Sequence, residues 1–244
     1  VKADGHDYLP AAVEAGASAV IAKYPVEGVA SVVTRDPEAT LAAMTANLYG
    51  NPARGMTIVG ITGTKGKTST AFFVKSVLDR EEGVKCGLIG TIRNMAGAES
   101  LGEAHNTTPT VTELHRLLSE MRARGCTHVV IEVSSHALAL GRLDGIRFAV
   151  SVFTNFSQDH LDFHGTMESY LDAKCRLFSM SDSGAVNLDD PASAQVLRAA
   201  KGPMRTFACR AAADMPADVS GSAADDASAN DEHPHSIGSS AAMA

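Results

Sequence analysis

The sequence predicts an α/β fold: a mostly parallel sheet with helices on both faces, built around a phosphate-binding glycine loop (P-loop) and preceded by part of a small α/β domain. Three observations predict it. Short continuous apolar runs alternate with helical periodicity over most of the chain, as in buried parallel strands joined by crossover helices. An apolar run at 56–59 leads into Gly60-Ile61-Thr62-Gly63-Thr64-Lys65-Gly66-Lys67-Thr68-Ser69, and residues 71–78 then show helical periodicity, giving strand, glycine turn and helix in that order. Finally, the glycine loop, Glu132 and Asn155 all fall at carboxyl ends of predicted strands, where open α/β sheets hold their ligands.

Each element follows from local pattern. Residues 9–15 have short helical character, and 19–22 and 29–33 are short apolar strands. Pro37 opens a helix with Leu41, Met44, Leu48 and Tyr49 on one face, stopped by Gly50-Asn51-Pro52. The cluster of Gly, Asn, Pro and Arg there sets a boundary between a partial N-terminal domain (1–53) and a central domain (54–210). Within the second, strand 56–62 and helix 67–80 precede a strand at 85–91 and a polar, Gly-rich loop at 94–106. Helix 110–124 turns Leu114, Leu117, Leu118 and Met121 inward and ends at Gly125. Strands at 129–131 and 148–153 close on Glu132 and on Thr154-Asn155, helix 167–178 follows, then a strand at 185–188, a helix at 191–200 and an edge strand at 205–208. Residues 211–244 are Ala, Ser, Asp and Gly without Lys or Arg, and are expected to be disordered or the truncated start of another domain.

With 244 residues and 45% apolar content the chain can build a substantial core. A net charge of -7 argues against a basic nucleic-acid surface, and no apolar run is long enough to span a bilayer. Cys86, Cys126, Cys175 and Cys209 lie far apart with no C-x-x-C, which suits reduced thiols and a cytoplasmic setting. The opening Val1, with no initiator Met, suggests a piece of a longer protein; nothing calls for a second copy, so a monomer is expected.

The chemistry starts at the glycine loop, whose N–H groups and following helix N-terminus suit phosphate. Lys67 would meet terminal phosphates as a point charge and the Thr68 hydroxyl would sit on Mg2+, although Gly60 and Gly66 enclose five residues where the common loop encloses four. Glu132, at a neighbouring strand tip, can hold a magnesium ion directly or through water. His160 and His164 share a loop crowded with possible ligands, and spacing does not choose between them. Lys174 falls on the apolar stripe of its helix with Tyr170 and Leu171. It can snorkel to water, pair with an acid such as Glu132, or lose its proton and take up CO2 as a carbamate able to bridge Mg2+. Asn106-Thr107-Thr108-Pro109 can cap a helix or meet a phosphate, and Arg142 can grip an anion or stay a surface charge. Ser134-Ser135-His136 lacks the G-x-S-x-G elbow and an acid partner, so a nucleophilic serine is rejected.

Taken together, these residues resemble the Mur ligases, ATP-dependent amide-forming enzymes of peptidoglycan precursor synthesis. The resemblance rests on Gly63-Thr64-Lys65-Gly66-Lys67-Thr68, Asn106-Thr107-Thr108-Pro109-Thr110, Glu132-Val133-Ser134-Ser135-His136-Ala137-Leu138, the run from Thr154 to Gly165, and Ala173-Lys174 followed by Leu177-Phe178. Within the family it implies the member that adds the third amino acid, diaminopimelate or lysine, to UDP-MurNAc-L-Ala-D-Glu. It further implies that Gly63, Thr64, Lys65, Gly66, Lys67, Thr68 and Ser69 bind ATP, that Asn106, Thr107, Thr108, Ser134 and Arg142 contact the UDP-muramoyl substrate, and that residues 1–53 belong to a UDP-binding domain. Thr68, Glu132, His160 and an N-carboxylated Lys174 match its Mg2+ positions, and with Lys67 the last three are the expected catalytic set. The implied chemistry is activation of a carboxylate as an acyl phosphate that an amine attacks. Lys65 replaces a common asparagine, Leu140 stands where some members have a polar contact, and no counterpart of the family's third domain is present, so this chain alone is not expected to complete ligation. Two alternatives are a nucleotide-binding module without ligase activity and a ligase similar to folylpolyglutamate synthase, which shares the loop.

Overall fold

A computed structural model describes residues 4–209; the tail assigned to 211–244 lies outside them. After a 3-10 turn (Gly5–Tyr8) capped by the Asp4 carboxylate, α1 (Leu9–Glu14) leads to β1 (Ala19–Ala22) and β2 (Ala30–Val33), which pair in parallel as a separate two-stranded sheet. The start of α2 (Pro37–Leu48) is fixed by Pro37 and by the Asp36 carboxylate, which accepts from the Ala39 N–H at 2.9 Å.

The apolar stripe of this helix is not the face it buries. Leu41, Met44 and Leu48 face solvent, with Leu48 79% exposed, while Ala42 and Thr45 are buried. A helical period fits both stripes, and the stripe of small side chains is the one that lets α2 lie close against the neighbouring helix α4 (Val111–Ala123).

The central elements follow as β3 (Thr57–Thr62), α3 (Lys67–Leu78), β4 (Cys86–Ile89), β5 (Arg93–Ala96), β6 (Glu99–Glu103), α4, β7 (His128–Glu132), α5 (Ser135–Ala139) and β8 (Phe148–Phe153). Then come α6 (Leu161–His164), α7 (Met167–Ser179), β9 (Ser181–Asn187), α8 (Ser193–Ala199) and β10 (Met204–Phe207). The sheet runs β10-β9-β8-β3-β7-β4-β5-β6, parallel from β10 to β4 and antiparallel at β5 and β6. Residues 94–106, expected as a loop, therefore supply most of an edge hairpin, turned at Gly97 with φ 62°. Its polar residues suit a solvated edge and gave no apolar signal.

Alternation along the strands divides the core between two faces. Ile58, Ile89, Val129 and Ile131 pack with residues of α4, α5, α7 and α8, whereas Val59, Ile61, Leu88 and Val130 pack beneath Ala71, Phe72 and Val74 of α3. Each fully buried aliphatic side chain contributes about 1.5–3 kcal/mol relative to exposure. Gly60 belongs to the first face, where a Cβ would lie 2.8 Å from the Phe148 ring. With β3 flanked by β7 and β8, the loop leaving β3 opens between two strand tips that also carry polar groups.

Candidate active site

The glycine loop is shaped by positions that only glycine fills without strain. Gly66 has φ 82° and serves as N-cap of α3, and Gly63 has φ 147°, where a Cβ would stand 1.9 Å from Thr154 Oγ1. The end of β8 holds the loop from the other side. Asn155 accepts from the Thr64 and Lys65 N–H groups through its carbonyl and its amide oxygen, both at 2.9 Å, and its Nδ2 donates to the Lys65 carbonyl at 3.0 Å. Thr154 Oγ1 also donates to that carbonyl at 2.8 Å, and Thr64 Oγ1 accepts from the Ser157 N–H at 3.0 Å. These bonds tie the cradle to the end of β8, with Ser69 in the first turn of α3 behind it.

Lys67 folds back over the loop, its Nζ donating to the carbonyls of Gly63 and Thr64 at 2.9 and 3.0 Å. Burial lowers its pKa, opposed by the charges of Glu132 and Asp159. Lys65 points outward, 74% exposed, with Nζ 3.4 Å from Asp159.

Glu132 ends β7 and is fully buried. Its carboxylate accepts from the Thr68 hydroxyl at 2.7 Å, and from the Thr91 N–H and hydroxyl at 3.0 Å each. A Cβ on Gly90 would sit 2.1 Å from Glu132 Oε1, so that glycine makes room for the acid. Thr91 was not singled out in the sequence; its place just past the end of β4 was the available signal. A hydroxyl and a carboxylate side by side at a helix N-terminus are the hard oxygen donors that magnesium takes, and glycines, loop N–H groups and Lys67 suit the phosphates of a nucleotide.

Lys174, in the middle of α7, is 1% exposed. Its Nζ donates to the Gly63 carbonyl at 2.9 Å and lies 4.5 Å from the centre of the Tyr170 ring, while the Tyr170 hydroxyl is 3.2 Å from Thr64 Oγ1. Of the three alternatives for Lys174, this burial excludes snorkelling, and the partner found is a backbone carbonyl in place of an acid such as Glu132. Burial, and next the charge of Lys67, bring the Lys174 pKa down to about 7.

The remaining predicted residues divide into two groups. Thr108, Ser134 and Arg142 join in a network beside Glu132. The Thr108 hydroxyl donates to the Glu132 carbonyl at 2.8 Å and accepts from the Ser134 N–H at 2.9 Å, and Arg142 donates to the Thr108 carbonyl at 3.1 Å. Ser134 Oγ also caps α5. Thr107 reaches the site through a 3.1 Å contact with the Thr91 hydroxyl, and Asn106 is exposed. His160 stands apart from Glu132's partners. It adopts φ 52°, and its half-exposed ring lies edge-on to His136 and Tyr170 with centroids at 4.7 and 5.9 Å. His164 Nε2 is 2.9 Å from Ser135 Oγ. Among the described residues no three His, Cys, Asp or Glu side chains converge on one point suitable for a metal.

A central parallel strand running into a glycine loop, a lysine and threonine opening the next helix, and a buried acid on the adjacent strand tip define a nucleotide-binding α/β domain. Residues 61–237 match the Mur ligase middle domain, and the chain belongs to the Mur ligase family. It is 42% identical over 224 residues to the UDP-N-acetylmuramoyl-L-alanyl-D-glutamate--2,6-diaminopimelate ligase of Clostridium perfringens, covering 88% of this chain and 46% of that protein. A solved structure of a ligase of the same name superposes with a TM-score of 0.71 at 27% identity, over 84% of this chain and 43% of the other. The folylpolyglutamate synthase of Mycobacterium tuberculosis, solved with ADP and AMPPCP, shares the fold with a TM-score of 0.55 at 16% identity, over 70% of this chain and 47% of that one. The chain spans about half the length of the curated relatives it matches.

Proposed function

We propose that this chain is the nucleotide-binding part of an ATP-dependent ligase that joins diaminopimelate to UDP-MurNAc-L-Ala-D-Glu in peptidoglycan precursor synthesis. The observation that carries this reading is the contact of Thr68 with Glu132 at 2.7 Å, at the mouth of a loop whose carbonyl at Gly63 also holds Lys174. Bound with magnesium, ATP supplies a phosphoryl group that turns a substrate carboxylate into an acyl phosphate open to attack by an amine. The protein's own groups set the conditions for that exchange. Loop N–H groups and the α3 N-terminus hold phosphate oxygens, and Lys67 leaves the loop carbonyls to neutralise their charge. Thr68 and Glu132 present oxygens to the metal, with Thr91 fixing the carboxylate.

Lys174, with its pKa near 7, carries a large neutral fraction at neutral pH, the form that adds CO2. A carbamate there would turn an inward cation into an anion beside the loop, and His160 would complete the set of metal-facing groups. Thr107, Thr108, Ser134 and Arg142, tied to one another and to Glu132 or Thr91 by hydrogen bonds, would with Asn106 take the UDP-muramoyl substrate, and residues 1–53 its uridine end. The four cysteines are free thiols, as a cytoplasmic setting calls for, and no helix among the described residues is long and apolar enough to cross a membrane.

The test is amide formation by the protein in a form as long as its relatives, supplied with ATP, Mg2+, UDP-MurNAc-L-Ala-D-Glu and either diaminopimelate or lysine, with products read by mass spectrometry. A diaminopimelate-containing tripeptide is expected. Incorporation of neither amine, with glutamate joined to folate instead, would overturn the reading.

A further inference from the structure

Tyr170 lies on the inward stripe of α7, one turn before Lys174, and is 1% exposed. A buried phenol fills space as a phenylalanine would, but it also brings a hydroxyl that needs a partner. The partner here is outside its own helix. The Tyr170 hydroxyl is 3.2 Å from Thr64 Oγ1, inside the glycine loop and 106 residues away in sequence. Thr64 Oγ1 accepts from the Ser157 N–H at 3.0 Å and has the Ser157 carbonyl at 3.2 Å to receive its single proton. The arrangement that satisfies every group has Tyr170 donating to Thr64, so the loop is pinned from α7 as well as from the end of β8.

The ring gathers pieces of the site from separate segments. Lys174 Nζ stands 4.5 Å from its centre, within the reach of cation–π attraction, while the Gly63 carbonyl at 2.9 Å shares the hold on that nitrogen. An aromatic face accepts an N–H from an ammonium and from a carbamate nitrogen alike. His160, in the loop after β8, is nearly perpendicular to the Tyr170 ring with centroids 5.9 Å apart, in the range of edge-to-face pairs. His160 needs such support, because its φ of 52° is one that residues other than glycine seldom adopt. Phe156 and His164 pack on the same ring, with centroids at 5.0 and 5.1 Å. A residue serving the core alone would not need its hydroxyl on the loop and its ring between Lys174 and His160.

We propose that Tyr170 is a positioning residue of the phosphoryl-transfer site: its ring sets Lys174 and His160 and its hydroxyl sets the glycine loop, so that the metal-facing groups and the phosphate cradle keep one spacing. The assignment rests on the reading above that Lys174 and His160 face the metal. Almost fully buried, Tyr170 acts through the groups it holds. Displacing such groups by about 1 Å can cost about a hundredfold in rate, which is the scale of effect expected when the ring is lost. Because ring and hydroxyl hold different partners, substitution can separate them.

The test compares Tyr170→Phe, which keeps the ring and loses the hydroxyl, with Tyr170→Met, whose flexible side chain fills much of the space and lacks both. Calorimetry of ATP with the metal chelated reads the loop, and both variants should bind about threefold more weakly than the unaltered chain, since both release Thr64. Kinetics in a form as long as the relatives reads the metal-facing groups. Tyr170→Met should lower kcat by about a hundredfold and raise the Mg2+ needed for half-maximal rate by about tenfold, with KM for ATP raised by no more than about threefold. Tyr170→Phe should restore kcat and the Mg2+ dependence to within about threefold of the unaltered protein. A core-filling role alone would lower the melting temperature and leave kcat per folded molecule and the Mg2+ dependence unchanged in both variants; that result overturns the proposal. So does Tyr170→Phe falling to the level of Tyr170→Met, or metal-free ATP affinity unchanged in Tyr170→Phe, a measurement that decides the matter even if Tyr170→Met does not fold. An unaltered protein with no Mg2+-dependent ligation would overturn the ligase reading and this assignment together, whereas an active protein indifferent to loss of the ring would overturn this assignment alone.

Discussion

The Lys174 ammonium donates to the carbonyl of Gly63 at 2.9 Å, joining the middle of α7 to the first turn of the phosphate loop across 111 residues of sequence. The contact makes the loop and the buried lysine one unit. It also ties the lysine's protonation to the stability of the fold.

The Lys174 pKa is about 7 in the folded chain against an ordinary value of 10.5. Between those values the unfolded chain holds a proton that the folded chain lacks, so stability rises with pH from about 7 to 10.5, and below about 7 the penalty is fully present. The lowered pKa of Lys67 acts in the same direction. Lys174→Met should therefore flatten the rise in urea midpoint between pH 7 and 10. Equal slopes for the two proteins would refute the burial argument.

Thr68→Val removes one of three donors to a carboxylate with no exposure to water. Thermal or urea unfolding should show a loss of about 1–3 kcal/mol, whereas Thr68→Ser keeps the hydroxyl and should lose little. A valine variant as stable as the serine variant would show that the hydroxyl does not support Glu132.

Gly63→Ala places a methyl group 1.9 Å from Thr154 Oγ1 at φ 147°. The clash and the backbone strain together should cost about 2 kcal/mol or more and weaken ATP binding. An alanine variant with unchanged melting temperature and nucleotide affinity would contradict the tight packing of loop against β8.

Burial pushes the thiols of Cys86 and Cys175 up to about 12 and about 11 and raises Cys126 as well, whereas Cys209 is exposed. In the native protein a thiol reagent should label Cys209 rapidly and the other three only on unfolding, as peptide mapping would show. Rapid native labelling of Cys86 would speak against the packing of β4.

The sequence revealed the parallel strands because continuous apolar runs such as Val129-Val130-Ile131 mark burial on two faces. It revealed the loop because glycines, Lys67 and Thr68 occur in a fixed order between strand and helix. It did not reveal the β5–β6 hairpin, whose polar residues resemble those of a loop. The buried face of α2 was not marked in the sequence because Ala42 and Thr45 carry less hydrophobic signal than Leu41 and Met44, although close helix packing selects the smaller side chains. For Lys174 periodicity gave the direction but not the partner, since a backbone carbonyl leaves no trace in residue type. Tyr170 and Thr91 went unassigned for a related reason: both act by holding another residue, and only the folded chain shows which.

The most direct test of the central claim is calorimetric titration of ATP into the chain, with Mg2+ and then with the metal chelated, for the unaltered protein, Lys67→Ala and Glu132→Gln. Magnesium should tighten binding to the unaltered chain, Lys67→Ala should weaken it by about tenfold or more, and Glu132→Gln should remove most of the magnesium effect while still binding nucleotide. Equal affinity for ATP with and without magnesium in the unaltered chain, or unchanged affinity in Lys67→Ala, would contradict the assignment of the loop and Glu132 to a metal–nucleotide site.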